Sequence, residues 1–281
     1  MSKQWLLFDC NYLCHRAKYS TGDLSIDSIP TGVIYGFLRD ILTFTEMFHT
    51  KNIVFCWDSK YSKRQEIYPA YKQQRRDKEK TEEEKLYDVE FRKQIKKLRK
   101  TYLPKIGYVN NFQQKGYESD DVIASICQTL HKKDMAIIIT ADQDLYQCLS
   151  SQVSLYNPQK RKMITLGKFK KEYGINPNLW VAVKCRAGCH SDNIAGISGI
   201  GEKTALKYFR GELSKDSKKY KAITAKKYEL LIGNQNRLLI DLPFPNTKKF
   251  KLKKDKLSQE GWRKVCKKLG MKSIEKKKLF K

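Results

Sequence analysis

The chain has 281 residues, 40% of them hydrophobic, enough to bury a sizeable core in one large or two smaller domains. Lys and Arg total 57 against 30 Asp and Glu, a formal charge of +27, and residues 201–281 alone carry 25 basic and 8 acidic side chains. No apolar run approaches the ~18 residues of a helical membrane span and no apolar signal core opens the chain, so a soluble, cytoplasmic protein is expected. The eight cysteines are scattered and several lie in apolar runs, which predicts reduced, buried thiols rather than a disulfide framework. Cys-x-x-x-Cys-His occurs at 10–15 and 185–190, matches no standard zinc module and is read as coincidence.

In chain order, the apolar run 5–8 ends in Asp9, and a helix beginning at 11–17 is expected to carry Arg16 near it. Residues 31–48 suit a core helix and lead into the strand 53–57, which ends in Asp58. Residues 60–100 are rich in Lys, Arg, Glu and Tyr and poor in aliphatics. They read as a flexible basic lid, in which cations would follow phosphates while Tyr stacks on bases. Within them Thr81-Glu82-Glu83-Glu84 is suited to cap a helix running through Leu98.

The densest acidic stretch follows. Glu118-Ser119-Asp120-Asp121 opens a helix with Val122, Ile123, Ile126, Cys127 and Leu130 at helical spacing and Ser119 placed to cap. The run 135–139 resembles a strand buried on both faces, and Asp142 and Asp144 come just after it. In open parallel sheets the functional crevice lies beyond the carboxyl ends of the strands. Asp9, Asp58 and Asp142 should therefore converge on residues 118–121. A lone Asp after a strand is as readily a helix cap, but three beside one acidic stretch favour hard divalent cations such as magnesium or manganese. An acidic cluster inside so basic a chain suggests a polyanion, best a nucleic acid, held by basic surfaces and cut with metal.

Further on, short strands around 153–156 and 163–165, a helix 166–173 and a helix opened by Pro177 are expected. Gly199-Ile200-Gly201 before another helix allows a tight hairpin whose amides, with Lys203, would grip duplex backbone without reading sequence. Beyond Lys215 the lysine runs read as an electrostatic surface or disordered tail.

Together these residues resemble the 5′-nuclease family of flap endonucleases, bacteriophage 5′-3′ exonucleases and the amino-terminal nuclease domain of bacterial DNA polymerase I. The resemblance rests on Phe8-Asp9 with Arg16-Ala17, Trp57-Asp58, Tyr71-Lys72, the stretches 116–121 and 140–147, and Ser191-Asp192-Asn193 through Ala205. It implies an α/β, PIN-like nuclease fold, with a mostly parallel central sheet flanked by helices. Residues 1–165 would form the nuclease domain with a helical arch at about 60–100. Residues 166–281 would form a helical DNA-binding region with a helix–hairpin–helix (helix–three-turn–helix) at about 190–210 and a basic C-terminal tail. With no polymerase segment, a stand-alone nuclease is expected.

The implied activity is metal-dependent 5′-3′ exonuclease and flap-endonuclease hydrolysis of DNA at 5′ ends and single-strand/duplex junctions, in replication or repair, by a monomer in a bacterial or phage-infected cell. By matching position, Asp9, Asp58, Glu118, Asp120 and Asp121 would surround a first magnesium or manganese ion, directly or through water. Asp142, Asp144 and Asp192 would surround a second. Lys72 and Arg75 would steady the scissile phosphate, with Tyr71 near a base and Arg16, Gly199, Gly201 and Lys203 on DNA. A potassium ion at the hairpin is also implied.

One position departs from the family. Where a Gly-Asp-x-x-Asp-Asn motif is usual, the chain reads Gly188-Cys189-His190-Ser191-Asp192-Asn193. Thiolate is a poor magnesium ligand. The substitution leaves open a weak second site, a softer metal through Cys189 or His190, or a changed balance of exonuclease and endonuclease action. A junction-binding protein with weakened turnover and an RNA-directed nuclease are the alternative readings.

Overall fold

Along β1 (Gln4–Asp9) successive side chains face opposite ways, Leu6 and Phe8 into one core and Trp5 and Leu7 into another. That double burial is why the strand reads as an unbroken apolar run. The computed structural model describes residues 2–279. After the small hairpin β2 (Ser25–Ile26) and β3 (Ile29–Pro30) come β4 (Ile53–Trp57), β5 (Asn111–Gln113), β6 (Met135–Ile139), β7 (Val153–Asn157) and β8 (Lys162–Ile164). Six of them form one sheet in the order β5-β4-β1-β6-β7-β8, parallel except for β8. The chain passes from β1 to β4 on one side and later to β6 on the other, so β1 marks the switch point where a crevice opens beyond the carboxyl ends.

Helices cover both faces. Cys10–Thr21 and Gly32–Met47 pack over Phe8, Phe55 and Trp57, while Ser119–Thr129 and Trp180–Ala187 pack over Leu7, Val54 and Ile138. The expected elements at 31–48, 53–57 and 135–139 all form. All eight cysteines are free thiols. Among the described residues no helix is long and apolar enough to cross a membrane.

The basic segment carries three helices. Two short helices, Lys63–Ile67 and Gln73–Arg76, stand beside the crevice. The third, Glu82–Lys97, begins with the expected capping box between Thr81 and Glu84. It docks through Phe91 and Gln94, and the Gln94 side-chain oxygen accepts from the amides of Val33 and Ile34 at 3.1 and 3.4 Å. Those amides would otherwise be orphaned, because Thr31 makes no side-chain cap there.

Two expectations about the second half are corrected. The core on the Leu7 face continues through Phe169, Trp180, Ile200 and Ala205, so it crosses the boundary placed at 165. The basic tail is no tail: helix Gln259–Lys268 buries Trp262, Val265 and Cys266 in the core on the Phe8 face. The lead-in to that helix is pinned by Asn110, which exchanges hydrogen bonds with the Lys253 backbone at 2.7 and 2.8 Å.

Candidate active site

Asp9 ends β1 and caps the helix after it, its Oδ1 accepting from the Tyr12 amide at 3.2 Å. The cap and the site are one residue, since the same carboxylate also accepts from Ser119 Oγ at 3.2 Å and from Thr140 Oγ1 at 2.8 Å. Asp58, just past β4, accepts from the Ser119 amide at 2.7 Å. Thr140 follows β6 and its hydroxyl takes the Asp142 amide at 3.1 Å. Asp120 lies in the first turn of Ser119–Thr129, and its carboxylate receives no hydrogen bond from any described residue.

Electrostatics tie these four together. Burial pushes Asp9 up to about 7, helped by the charges of Asp58 and Asp142. Asp120 is raised well above the carboxylate range by burial, then by Asp142, Asp9, Asp58 and Glu118. Asp58 is raised by burial and by Glu118. Shielded carboxylates this close hold protons or cations. The oxygen-only donor set suits magnesium or manganese, which bind through one or two carboxylates and keep several waters.

An acid with a raised folded pKa binds more protons folded than unfolded across about pH 4 to 7, so its contribution to stability falls as pH rises through that window. Asp9→Asn removes that loss. In chelator, the melting temperature of the variant relative to wild type should climb between about pH 5 and 7 and then level off, as thermal unfolding scans will read. A flat difference would mean that Asp9 titrates normally.

Glu118 behaves in the opposite way. Burial alone would raise it, but Lys72 and Arg64 hold it down at about 2. Lys72 Nζ lies 2.8 Å from Glu118 Oε2 and 3.9 Å from Asp192. Its backbone is left-handed, with φ of 53°, an uncommon state for a residue with a side chain, at a cost of ~1–2 kcal/mol. The amide holds that turn by donating to the Asp192 carbonyl at 2.9 Å. Gln74, Arg75 and Asn193 add bonds between residues 70–75 and the 190–193 loop, so the base of the basic segment is zipped onto that loop.

A second acidic group stands beside the first. Asp144, Cys189 and Asp192 bring ligand atoms within 4.8 Å of one another. Asp144 is raised to about 6 by burial and Asp142, with Lys184 at 3.4 Å partly offsetting. Arg75 reaches Asp192 at 2.9 Å. Asp142 acts on Asp9, Asp120, Asp144 and Asp192 alike and so stands between the groups.

Two expected roles change. Asp121 is fully buried, and each of its oxygens already takes one Arg64 nitrogen, at 2.8 and 2.7 Å, and one backbone amide, of Glu118 or Phe244. It has no lone pair left for a metal and is removed from the ligand set. Tyr71 is buried among Val181, Cys185 and Leu239, so its ring cannot stack on a base; its hydroxyl donates to Glu118 at 3.0 Å instead. Arg16, on the helix that follows Asp9, makes its ion pair with Asp40 at 2.6 Å.

Gly199, at φ of 73°, and Gly201, the cap of Glu202–Phe209, lie exposed with Lys203. Ser119, expected to cap its helix, is instead the first helical residue, with Glu118 as the cap and Asp121 closing a capping box; Thr140, Arg64 and Lys184 were not singled out in the sequence. Only Thr140, directly behind a buried strand, carried a local signal.

Residues 4–174 match the family model described as 5′-3′ exonuclease, N-terminal resolvase-like domain. The chain is 33% identical over 208 residues to the thermostable DNA polymerase I of Thermus thermophilus, covering 73% of this chain and 24% of that one. It thus spans about a quarter of that relative's length. To the 5′-3′ exonuclease of Bacillus subtilis it is 31% identical over 215 residues, covering 73% of this chain and 69% of that protein. Among solved structures, the bacteriophage T5 5′-exonuclease with divalent metal ions (zinc) bound superposes with a TM-score of 0.72 at 25% identity, covering 86% and 90% of the two chains. A T5 flap endonuclease complex with DNA and metal ions gives 0.71 at 24%, with the same coverage.

Proposed function

The chain belongs to the 5′-3′ exonuclease family, and on that premise we propose that it hydrolyses DNA phosphodiesters at 5′ ends, flaps and single-strand/duplex junctions. The observation that carries the reading is the convergence of Asp9, Asp58, Asp120 and Asp142, from four separate elements, on one crevice beside Lys72. Magnesium or manganese at this group, with a second ion at Asp144 and Asp192, would neutralise the phosphate, lower the pKa of water and stabilise the leaving oxygen. Ser119 and Thr140 orient Asp9, and Lys72 and Arg75 offer positive charge to the scissile phosphate when it displaces their carboxylate partners. Gly199, Gly201 and Lys203 hold duplex backbone, with a potassium ion at the hairpin, and Arg16 lies along the strand. The protein would act as a monomer in the bacterial or phage-infected cytoplasm, in replication or repair.

A labelled 5′-flap incubated with magnesium, manganese or chelator tests the reading, and the absence of any metal-dependent product rejects it. Tight junction binding without product would favour a binding protein weakened at Cys189; preference for a matched RNA flap would move the substrate class. Lys72→Ala should slow single-turnover cleavage by ~10²-fold while changing junction affinity much less, because charge aimed at a reacting phosphate acts mostly in the transition state. Rapid-quench rates beside anisotropy titrations separate the two, and an unchanged rate would take Lys72 out of the chemistry.

A further inference from the structure

The second acidic group includes a sulfur, that of Cys189, where the first has carboxylate oxygens alone. That residue is 6% exposed, and its backbone closes a tight loop by exchanging hydrogen bonds with Ile194, at 2.9 Å each way. Other thiols of the chain, Cys10, Cys14 and Cys56, fill apolar core at 0% exposure. Cys189 has an apolar side too, against Val181, Cys185 and Ile194. Its Sγ, however, faces Ser191 Oγ at 3.2 Å and shares a space with Asp144 and Asp192 no wider than 4.8 Å. In tetrahedral zinc, with bonds of ~2.3 Å to sulfur and ~2.0–2.2 Å to oxygen, two ligand atoms stand about 3.5 Å apart. The three atoms, all within 4.8 Å of one another, need to draw together by no more than about 1.3 Å to coordinate one ion.

We propose that Asp144, Cys189 and Asp192 form a thiolate–dicarboxylate site that binds a thiophilic divalent cation of the zinc, cobalt and cadmium class in preference to magnesium, with a direct metal–sulfur bond. The proposal rests on the reading of this group as the second metal position. Binding is a ligand exchange without redox: the metal–sulfur bond forms, the S–H bond breaks, and the proton leaves to solvent. The charge is balanced, because a thiolate restores the negative charge that a carboxylate at 189 would have supplied. Lys184, 3.4 Å from Asp144, and Arg75, 2.9 Å from Asp192, pair with these carboxylates in the free protein, and Glu202 at 3.8 Å gives Lys184 another partner when it is displaced. Soft thiolate selects zinc-class ions, whereas carboxylate and water suit magnesium.

Cobalt titration of the full chain without DNA is the test. One cobalt–thiolate bond gives a near-ultraviolet charge-transfer band, expected in wild type and lost in both Cys189→Ser and Cys189→Asp. Zinc should displace the band at concentrations at least about tenfold below magnesium. Cys189→Asp should narrow the preference for zinc over magnesium by about tenfold or more, read by competition against manganese in electron paramagnetic resonance. Far-ultraviolet circular dichroism shows whether each variant folds. If Cys189→Ser does not, Asp144→Asn with Asp192→Asn keeps the sulfur and should still weaken cobalt binding about tenfold or more.

Cobalt bound without the band, or a band that survives loss of Cys189, overturns the proposal. Flap cleavage in magnesium distinguishes the two failures. Cleavage without the band sinks sulfur ligation alone, and the band without any metal-dependent cleavage sinks the nuclease reading alone.

Discussion

Asp120→Ala should lower flap cleavage by ~10³-fold or more, about 4 kcal/mol of transition-state stabilisation, while junction binding in calcium stays within a few-fold of wild type. Asp120 has no hydrogen-bond donor among the described residues, yet it faces Asp142, Asp9, Asp58 and Glu118. Four like charges around one carboxylate destabilise the metal-free fold, so the group is kept for something other than stability. Removing it should therefore raise the melting temperature in chelator even as turnover disappears. The opposite signs matter, because a variant that merely misfolded would lose both. Single-turnover cleavage, anisotropy with calcium and thermal scans in chelator give the three readouts. Cleavage at the wild-type rate would show that the acidic crevice is not the reacting centre.

The sheet was legible because a strand buried on both faces leaves an unbroken apolar run, and β1, β4 and β6 all have one. Their aspartates were legible because the ends of parallel strands share one edge. Asp121 could not be told from Asp120 by the same reasoning. Successive helical residues point about 100° apart, so one reaches the crevice and the other the interior, and the phase is set by Arg64, 57 residues upstream. Tyr71 was misjudged because an aromatic inside a basic run looks exposed, whereas the left-handed turn at Lys72 folds that run back onto the 190–193 loop. At the C-terminus the lysines hid the pattern. Trp262, Val265, Cys266 and Leu269 recur at helical spacing, but the charges between them read as a tail.

Arg64→Ala should cost ~3–5 kcal/mol of unfolding free energy, measured as a lower urea midpoint, because it strands the Asp121 carboxylate in a dry interior. Arg64 is 2% exposed and uses its whole fork: two nitrogens on Asp121 and Nε on the Leu239 carbonyl at 2.8 Å. Its guanidinium lies over the Phe244 ring at 4.7 Å. Lysine cannot reproduce that fork, so Arg64→Lys should recover little of the loss. The pair joins the base of the basic segment, the helix bearing Asp120, and the returning chain at 239–244, three parts far apart in sequence. Its net value as a charge pair is a separate matter. Replacing both partners, Arg64→Met with Asp121→Leu, should regain most of the stability, since apolar residues of similar volume often equal a buried ion pair. Cleavage should not return with it, because the Glu118 amide also anchors on Asp121 and Glu118 is held by Lys72 across the crevice. A double variant as active as wild type would mean that the crevice keeps its geometry without this anchor, and a wild-type midpoint for Arg64→Ala would mean that the anchor does not exist.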